Sequence, residues 1–289
     1  MMDGPPSGQV PPSSQLPKPG SVVRSARGFA YLFGERLGGG SFGAVYDAIG
    51  PFDQRYAIKV FYPGQRPYEE VHAEWLREVE RLYRLRHPNI VYVHDYFESE
   101  GLFFLVLERC HHSLEEMLGD APFTDRLVVD VMRQLLFAVQ YLADNQIVHN
   151  DLHAGNVLVV QGAELVVKIS DLGIAQELYG SMARPALVHH RIMAPEVAAG
   201  GYSTTQSDLY QLGLLMYLMH TGASAVDTSG GYDSIVQQIR DGTPRARAEA
   251  LGTPLGDITG ILLRRHEQYR YTAPVQVWED LRRLNVWQR

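Results

Sequence analysis

The sequence predicts an α+β fold in which strands dominate the first third of the chain and helices the rest. Three observations carry that expectation. Before residue 110 the apolar runs are short and rich in β-branched or aromatic residues, as in Tyr56-Ala57-Ile58-Lys59-Val60-Phe61, Val91–Phe97 and Leu102–Leu107. One helical stretch interrupts them, Glu69 to Arg86, where Val71, Trp75, Val79, Leu82 and Leu85 recur at three- and four-residue spacing. After residue 110 the long patterns are helical. Thr124–Asn145 carries Leu127, Val131, Leu135, Leu136, Val139 and Leu142 on one face, and Ser207–Met219 is apolar nearly all round, which implies burial.

Bulk properties narrow the function classes. The chain has 289 residues, enough for one large domain or two lobes with cores of their own. Its formal net charge of −7 gives no support for binding to nucleic acid or to a membrane surface. No apolar run approaches the roughly 18–20 residues that span a bilayer. The N-terminus lacks a basic segment followed by an apolar core, so secretion is not expected. A single cysteine, Cys110, rules out an intrachain disulfide or a cysteine-based zinc cluster, and a cytoplasmic location fits best. Residues 1–27, rich in Pro, Ser and Gly, read as a disordered tail, with docking through their prolines as the alternative.

The chemistry-bearing residues are these. Gly38-x-Gly40-x-x-Gly43, followed by Val45, lets a backbone approach phosphates with no Cβ in the way, though any glycine-rich hairpin produces the same pattern. The residues after it favour a second strand over a helix. Lys59 is a lone cation in an apolar strand, costly to bury unless its ammonium finds a partner or snorkels at an edge. On the helix that follows, Glu74 and Glu78 lie on one face, one turn apart, and the pattern alone leaves the partner of Lys59 open. Glu98-Ser99-Glu100-Gly101 reads as a hairpin turn, and Ser113-Leu114-Glu115-Glu116 as a capping box. The stretch His149-Asn150-Asp151-Leu152-His153-Ala154-Gly155-Asn156 sets a carboxylate and, five residues on, an amide in a polar loop. That pairing suits phosphoryl transfer: a carboxylate takes the proton of an attacking hydroxyl and an Asn oxygen helps hold a divalent metal. An apolar strand then ends in Asp171-Leu172-Gly173, a carboxylate at a turn suited to Mg²⁺.

Taken in order, these segments resemble the protein kinase superfamily over roughly residues 29–287. The loop resembles the family's His-Arg-Asp-Leu-x-x-x-Asn, Asp171-Leu172-Gly173 its Asp-Phe-Gly, and Ala194-Pro195-Glu196 its Ala-Pro-Glu. The resemblance implies a bilobal α+β fold: a small antiparallel β lobe with one helix over 28–109, and a larger, mainly α-helical lobe over 110–289. It implies MgATP (or the Mn²⁺ form) as cofactor and a protein substrate. It makes Asp151 the catalytic base, Lys59 the phosphate-binding cation and Glu78 its partner, Asn156 and Asp171 the metal ligands. Nucleotide contacts fall on Leu37, Gly38, Gly40, Gly43, Val45, Ala57, Leu107, Leu158 and the hinge backbone at Glu108 and Cys110. Asp208 matches the acid that hydrogen-bonds the loop backbone, and Arg270 the partner of Glu196.

Two positions depart from the family pattern. Asn150 stands where Arg is usual and so removes the clamp on a phosphorylated activation segment; between Gly173 and Met193 the hydroxyl residues are Tyr179 and Ser181. His153 stands where serine/threonine kinases carry Lys, and it brings a positive charge only when protonated. The loop is partly similar to that of choline and aminoglycoside kinases. The expected function is therefore a serine/threonine protein kinase, with a pseudokinase scaffold and a small-molecule kinase as alternatives. Oligomeric state is not legible.

Overall fold

The computed structural model describes residues 16–40, 43–119, 121–173, 175–178, 182–183, 190–284 and 286. They form two compact units. One comprises the described residues through Arg86 together with Val91–Cys110; the other comprises His87–Ile90 and His111 onward.

The first unit is built on a six-stranded antiparallel sheet. Its strands are β1 (Val22–Arg24), β2 (Ala30–Gly40), β3 (Gly43–Ile49), β4 (Arg55–Phe61), β5 (Val93–Ser99) and β6 (Leu102–Glu108), in the order β1-β2-β3-β4-β6-β5. The period of two decides which side chains meet. Tyr31, Phe33, Ala44, Tyr46, Ala48, Ile58, Val60, Phe104 and Val106 form a buried cluster on one face. The residues between them, Val45, Ala57, Lys59 and Leu107, alternate with these core positions and belong to the opposite face. Cross-strand register sets Val45 beside Lys59 and Ala57 beside Leu107. Helix α1 (Tyr68–Arg84) buries Val71, Trp75, Glu78, Val79 and Leu82 along one stripe. The Trp75 indole, stacked on Phe103, donates to the carbonyl of Phe104 and so fixes the helix on β6.

Two boundaries differ from the sequence expectation. Val22–Arg24 fall within the stretch whose composition predicts a disordered tail, yet they pair with Leu32, Tyr31 and Ala30. Val23 and Leu16 pack against the sheet cluster, which is apolar burial that the surrounding Pro, Ser and Gly conceal. Residues 1–15 lie outside the described residues. The turn His87–Ile90 belongs to the second unit rather than to the β lobe, and Cys110 to the first. Asn89 decides the former: its Nδ2 donates to Val167 O at 2.8 Å and to Gln134 Oε1 at 2.9 Å, and its carbonyl accepts from Ile169 N–H.

The second unit is mainly helical. It contains β7 (His112–Ser113), α2 (Leu114–Leu118), α3 (Asp125–Asp144), β8 (Ile147–Val148), β9 (Val157–Gln161), β10 (Leu165–Ile169), β11 (Gln176–Glu177), α4 (Pro195–Ala198), α5 (Thr205–Thr221), α6 (Gly231–Asp241), α7 (Thr243–Glu249), α8 (Pro254–Leu262) and α9 (Pro274–Leu281). The capping box is formed, Ser113 Oγ accepting from Glu116 N–H while Glu116 accepts from Ser113 N–H. Helix α5 is buried along almost its whole length, as its uniform apolarity predicts. Its three buried polar residues, Ser207, Asp208 and Gln211, sit within its first two turns.

Candidate active site

The residues singled out by sequence divide between the two units. Leu37, Gly38, Gly40, Gly43, Val45, Ala57, Lys59, Glu78, Leu107, Glu108 and Cys110 lie in the first; Asp151, His153, Asn156, Leu158 and Asp171 lie in the second.

In the first unit, β2 and β3 make a hairpin whose glycines are required by geometry at one end. Gly43 has φ +149°, and a Cβ there would come within 2.4 Å of the Val60 carbonyl oxygen on β4. Ser41 and Phe42, at the tip, lie outside the described residues. Lys59, 6% exposed, places its Nζ 2.9 Å from both carboxylate oxygens of Glu78, which is 2% exposed. Each charge answers the burial cost of the other. The choice left open by helical spacing is thereby closed. Glu74 is taken instead by Arg66, at 2.5 and 2.9 Å. At the end of β6, Glu108 donates its N–H to the carbonyl of Tyr92 and its side chain accepts from Tyr92 N–H. Cys110 is buried.

In the second unit, the segment 149–156 is fixed from below by α5. Asp208 Oδ2 and Oδ1 accept from the backbone N–H groups of His149 and Asn150, at 2.8 and 2.9 Å. Burial pushes the Asp208 carboxyl up to about 7, against the pull of those two N–H groups. Gln211, one turn further on, accepts from Leu152 N–H and donates to the carbonyl of Asn150. Gln211 was missed by sequence reasoning. Its signal was present all the same: a polar amide three residues after Asp208 in an otherwise apolar helix. Asn150 has φ +69°, a left-handed conformation that Asn tolerates better than other residues bearing a Cβ, so the departure from Arg is compatible with the local backbone.

His149 is fully buried and anchors the loop. Its Nε2 lies 3.0 Å from Ser170 O and its Nδ1 accepts from Asp151 N–H at 3.2 Å, which together select the neutral ring with its proton on Nε2. Burial accordingly holds its pKa below the ordinary 6.5. Below that value the unfolded chain takes up a proton that the folded chain refuses, so the contribution of His149 to stability is intact above pH 6.5 and is lost as the solution becomes more acid. Replacing His149 by Gln removes the titration. Denaturation between pH 5 and 7 is expected to show a pH slope shallower in the variant by up to about 1.4 kcal/mol per unit.

Around Asp151, Asn156 donates through Nδ2 to both the backbone carbonyl and Oδ2 of Asp151, each at 2.9 Å. The ring of His153 accepts from Gly155 N–H through Nδ1 at 3.1 Å, and its Nε2 is 3.8 Å from Asp151 Oδ2. The strand that ends in Asp171 is tied to the same loop, because Ser170 donates to the Asn156 carbonyl from both N–H (2.9 Å) and Oγ (3.0 Å). Asp171 follows at φ +57°, with Oδ1 accepting from Gly173 N–H at 3.3 Å, and Leu172 is buried. Leu158 lies on β9, paired with Lys168 on one side and Ser113 on the other. Tyr179, Ser181 and His189 lie outside the described residues.

A carboxylate, an amide and a second carboxylate are thus hydrogen-bonded into one loop system. Comparison with known proteins gives the arrangement its family: residues 31–279 match the model of the protein kinase domain. The chain belongs to the protein kinase family. It is similar to the serine/threonine-protein kinase PrkC of Bacillus subtilis, 28% identical over 219 residues, which are 73% of this chain and 33% of that protein. It is 32% identical over 192 residues to the probable serine/threonine-protein kinase zyg-1 of Caenorhabditis briggsae, covering 65% of this chain and 26% of that one. It is 30% identical over 241 residues to human serine/threonine-protein kinase STK11, covering 79% of this chain and 55% of that protein. The chain therefore spans about a third or less of the first two relatives and about half of the third. Membership explains a further feature of the kinase fold. Glu196 and Arg270, far apart in sequence, meet in a bidentate pair at 2.9 and 2.6 Å, with Ser207 Oγ also donating to Glu196 at 2.6 Å. Among the described residues, no helix is long and apolar enough to cross a membrane.

Proposed function

We propose that this kinase domain transfers the γ-phosphoryl group of ATP to serine or threonine hydroxyls of a protein substrate, with Asp151 as the base. The observation that carries the reading is the pair of hydrogen bonds from Asn156 Nδ2 to Asp151, which orient the carboxylate from within its own loop. The similarity to serine/threonine kinases supports the acceptor class.

The residues present fit a divalent ion. Asn156 commits its Nδ2 to Asp151, which leaves its Oδ1 as a neutral hard donor, and Asp171 adds a carboxylate. Bound there with ATP, Mg²⁺ or Mn²⁺ supplies neutralisation of phosphate charge. The chain's own groups do the rest. By the family pattern, Lys59, steadied by Glu78, would hold the α- and β-phosphates and the glycines 38, 40 and 43 would admit the triphosphate, while Leu37, Val45, Ala57, Leu107 and Leu158 would give apolar contact to the base and the backbone of Glu108 and Cys110 would read its edge. Asp151 accepts the hydroxyl proton as the acceptor oxygen forms its bond to the γ-phosphorus in line and the bond to the bridging oxygen breaks, releasing ADP. His153, with Nδ1 accepting from Gly155, turns Nε2 toward Asp151 and takes the place of the family's lysine.

The test is transfer of radiolabelled γ-phosphate with Mg²⁺ or Mn²⁺ to a generic protein substrate, beside a panel of amino-alcohols and aminoglycosides. Label on protein as phosphoserine or phosphothreonine supports the proposal. Label only on a small molecule moves the activity to the alternative that the His153-Ala154-Gly155 segment resembles, and ATP binding with no label on any acceptor leaves a pseudokinase. Because Asn150 replaces the arginine that would grip an activation-segment phosphate, a Tyr179→Phe/Ser181→Ala double variant is expected to stay within about twofold of wild type in kcat/KM. A large rate loss would sink that independence.

A further inference from the structure

Outside the loop system, the second unit contains an open cavity of about 640 Å³ beside the Glu196–Arg270 pair. Its lining carries two carboxylates, Glu196 and Glu267, and two guanidinium groups, Arg240 and Arg265. Glu196 is neutralised by Arg270 and accepts from the Ser207 hydroxyl, whereas Glu267 accepts at Oε1 from the neutral Thr204 hydroxyl, at 3.2 Å, and keeps its charge. Against these carboxylates stand two arginines, Arg240 and Arg265, neither of which meets a carboxylate among the described residues. Arg240 is exposed on the last turn of α6. The Arg265 guanidinium is oriented rather than free-swinging: Nη1 donates to the Arg240 carbonyl at 2.7 Å, and Nη2 lies 3.4 Å from His266 Nε2. Those contacts occupy two of the five N–H donors of an arginine and leave the others for a ligand.

We infer that this cavity is a docking site for a phosphorylated peptide segment. Each of the two guanidinium groups can give a phosphomonoester charge-assisted, bidentate hydrogen bonds. With Glu196 paired to Arg270, the lining keeps one net positive charge, Arg240 and Arg265 against Glu267, on a chain whose net charge is −7, which favours an anion there. Pro195 gives the cavity an apolar wall for a side chain flanking the phosphate, and its open side lets a chain enter and leave. The inference does not depend on phosphoryl transfer by Asp151, because binding is measured without ATP.

The experiment is fluorescence anisotropy of the full chain with a degenerate phosphoserine peptide library and its unphosphorylated counterpart, with inorganic phosphate as competitor. Phosphorylation is expected to strengthen binding by at least about tenfold, the range of one or more charge-assisted hydrogen bonds. Arg240→Ala touches no hydrogen bond of the fold and is expected to lose about tenfold; Arg265→Met, which retains the apolar stem, is expected to lose as much, with thermal melting as the check on folding. Equal binding of the two libraries, no binding of either, or undiminished binding by Arg240→Ala overturns the inference. Displacement of the peptide by inorganic phosphate at equal concentrations also overturns it, by reducing the cavity to a site for the free anion.

Discussion

Asp151→Asn is expected to reduce kcat by about 10²–10⁴ while leaving the affinity for ATP and the fold almost unchanged. The upper bound is what a positioned proton acceptor contributes to a transfer step. Asparagine retains an oxygen that accepts from Asn156 Nδ2, so the hydrogen bonds at 2.9 Å that order the loop persist. It loses the negative charge and the basicity that the proposed mechanism uses to receive the hydroxyl proton. The pattern of loss is diagnostic. A fall in kcat with an unaltered KM for ATP is the signature of an interaction made in the transition state, whereas a parallel collapse of nucleotide binding would mean that Asp151 is structural. An Asp151→Asn protein with wild-type turnover would remove the base from the mechanism.

Arg270→Ala is expected to destabilise the second unit by about 3–5 kcal/mol, a large share of the stability of an ordinary domain. The Arg270 side chain is entirely buried and Glu196 nearly so. The arginine also donates to the carbonyls of Arg264, Arg265 and Gln206 and lies over the Tyr210 ring, 5.0 Å from its centroid. Its removal strands a buried carboxylate and three carbonyl oxygens at once. Chemical denaturation of Arg270→Ala, Glu196→Gln and the double variant measures the coupling. If the pair acts as a unit, the double variant is much less destabilised than the sum of the singles. Additive losses would show that the carbonyl contacts, rather than the ion pair, carry the stability.

Much of this architecture was legible in sequence for physical reasons. Periodicity of two marked the strands around Lys59, and the three-to-four spacing of Val71, Trp75, Val79 and Leu82 marked α1, because burial of one face leaves a regular trace. The near-uniform apolarity of α5 announces its burial, and the resemblance to protein kinases implies the contact of Asp208 with the loop backbone. Other features left a trace too weak to read. β1 lies in a stretch whose composition is that of a tail, and three residues are too few for a pattern. The turn at Asn89 follows α1 directly in the chain, and only its hydrogen bonds to Val167 and Gln134 assign it to the second unit.

What the sequence determined by itself is the inventory: a carboxylate and an amide five residues apart in one loop, a lysine in a strand, acids on a helix, and the order in which they come. Local rules fix these, since helix, strand and turn each depend on neighbours in the chain. Tertiary structure alone decided the partners. Glu78 rather than Glu74 meets Lys59, with α1 held on β6 through Trp75 and Arg66 occupying Glu74. Gln211 joins Asp208 beneath the loop, and His149 is fixed as the neutral ring by Ser170 and Asp151. Burial makes each of these choices, because a polar group removed from water must find one particular partner, and which partner is near depends on how distant segments pack.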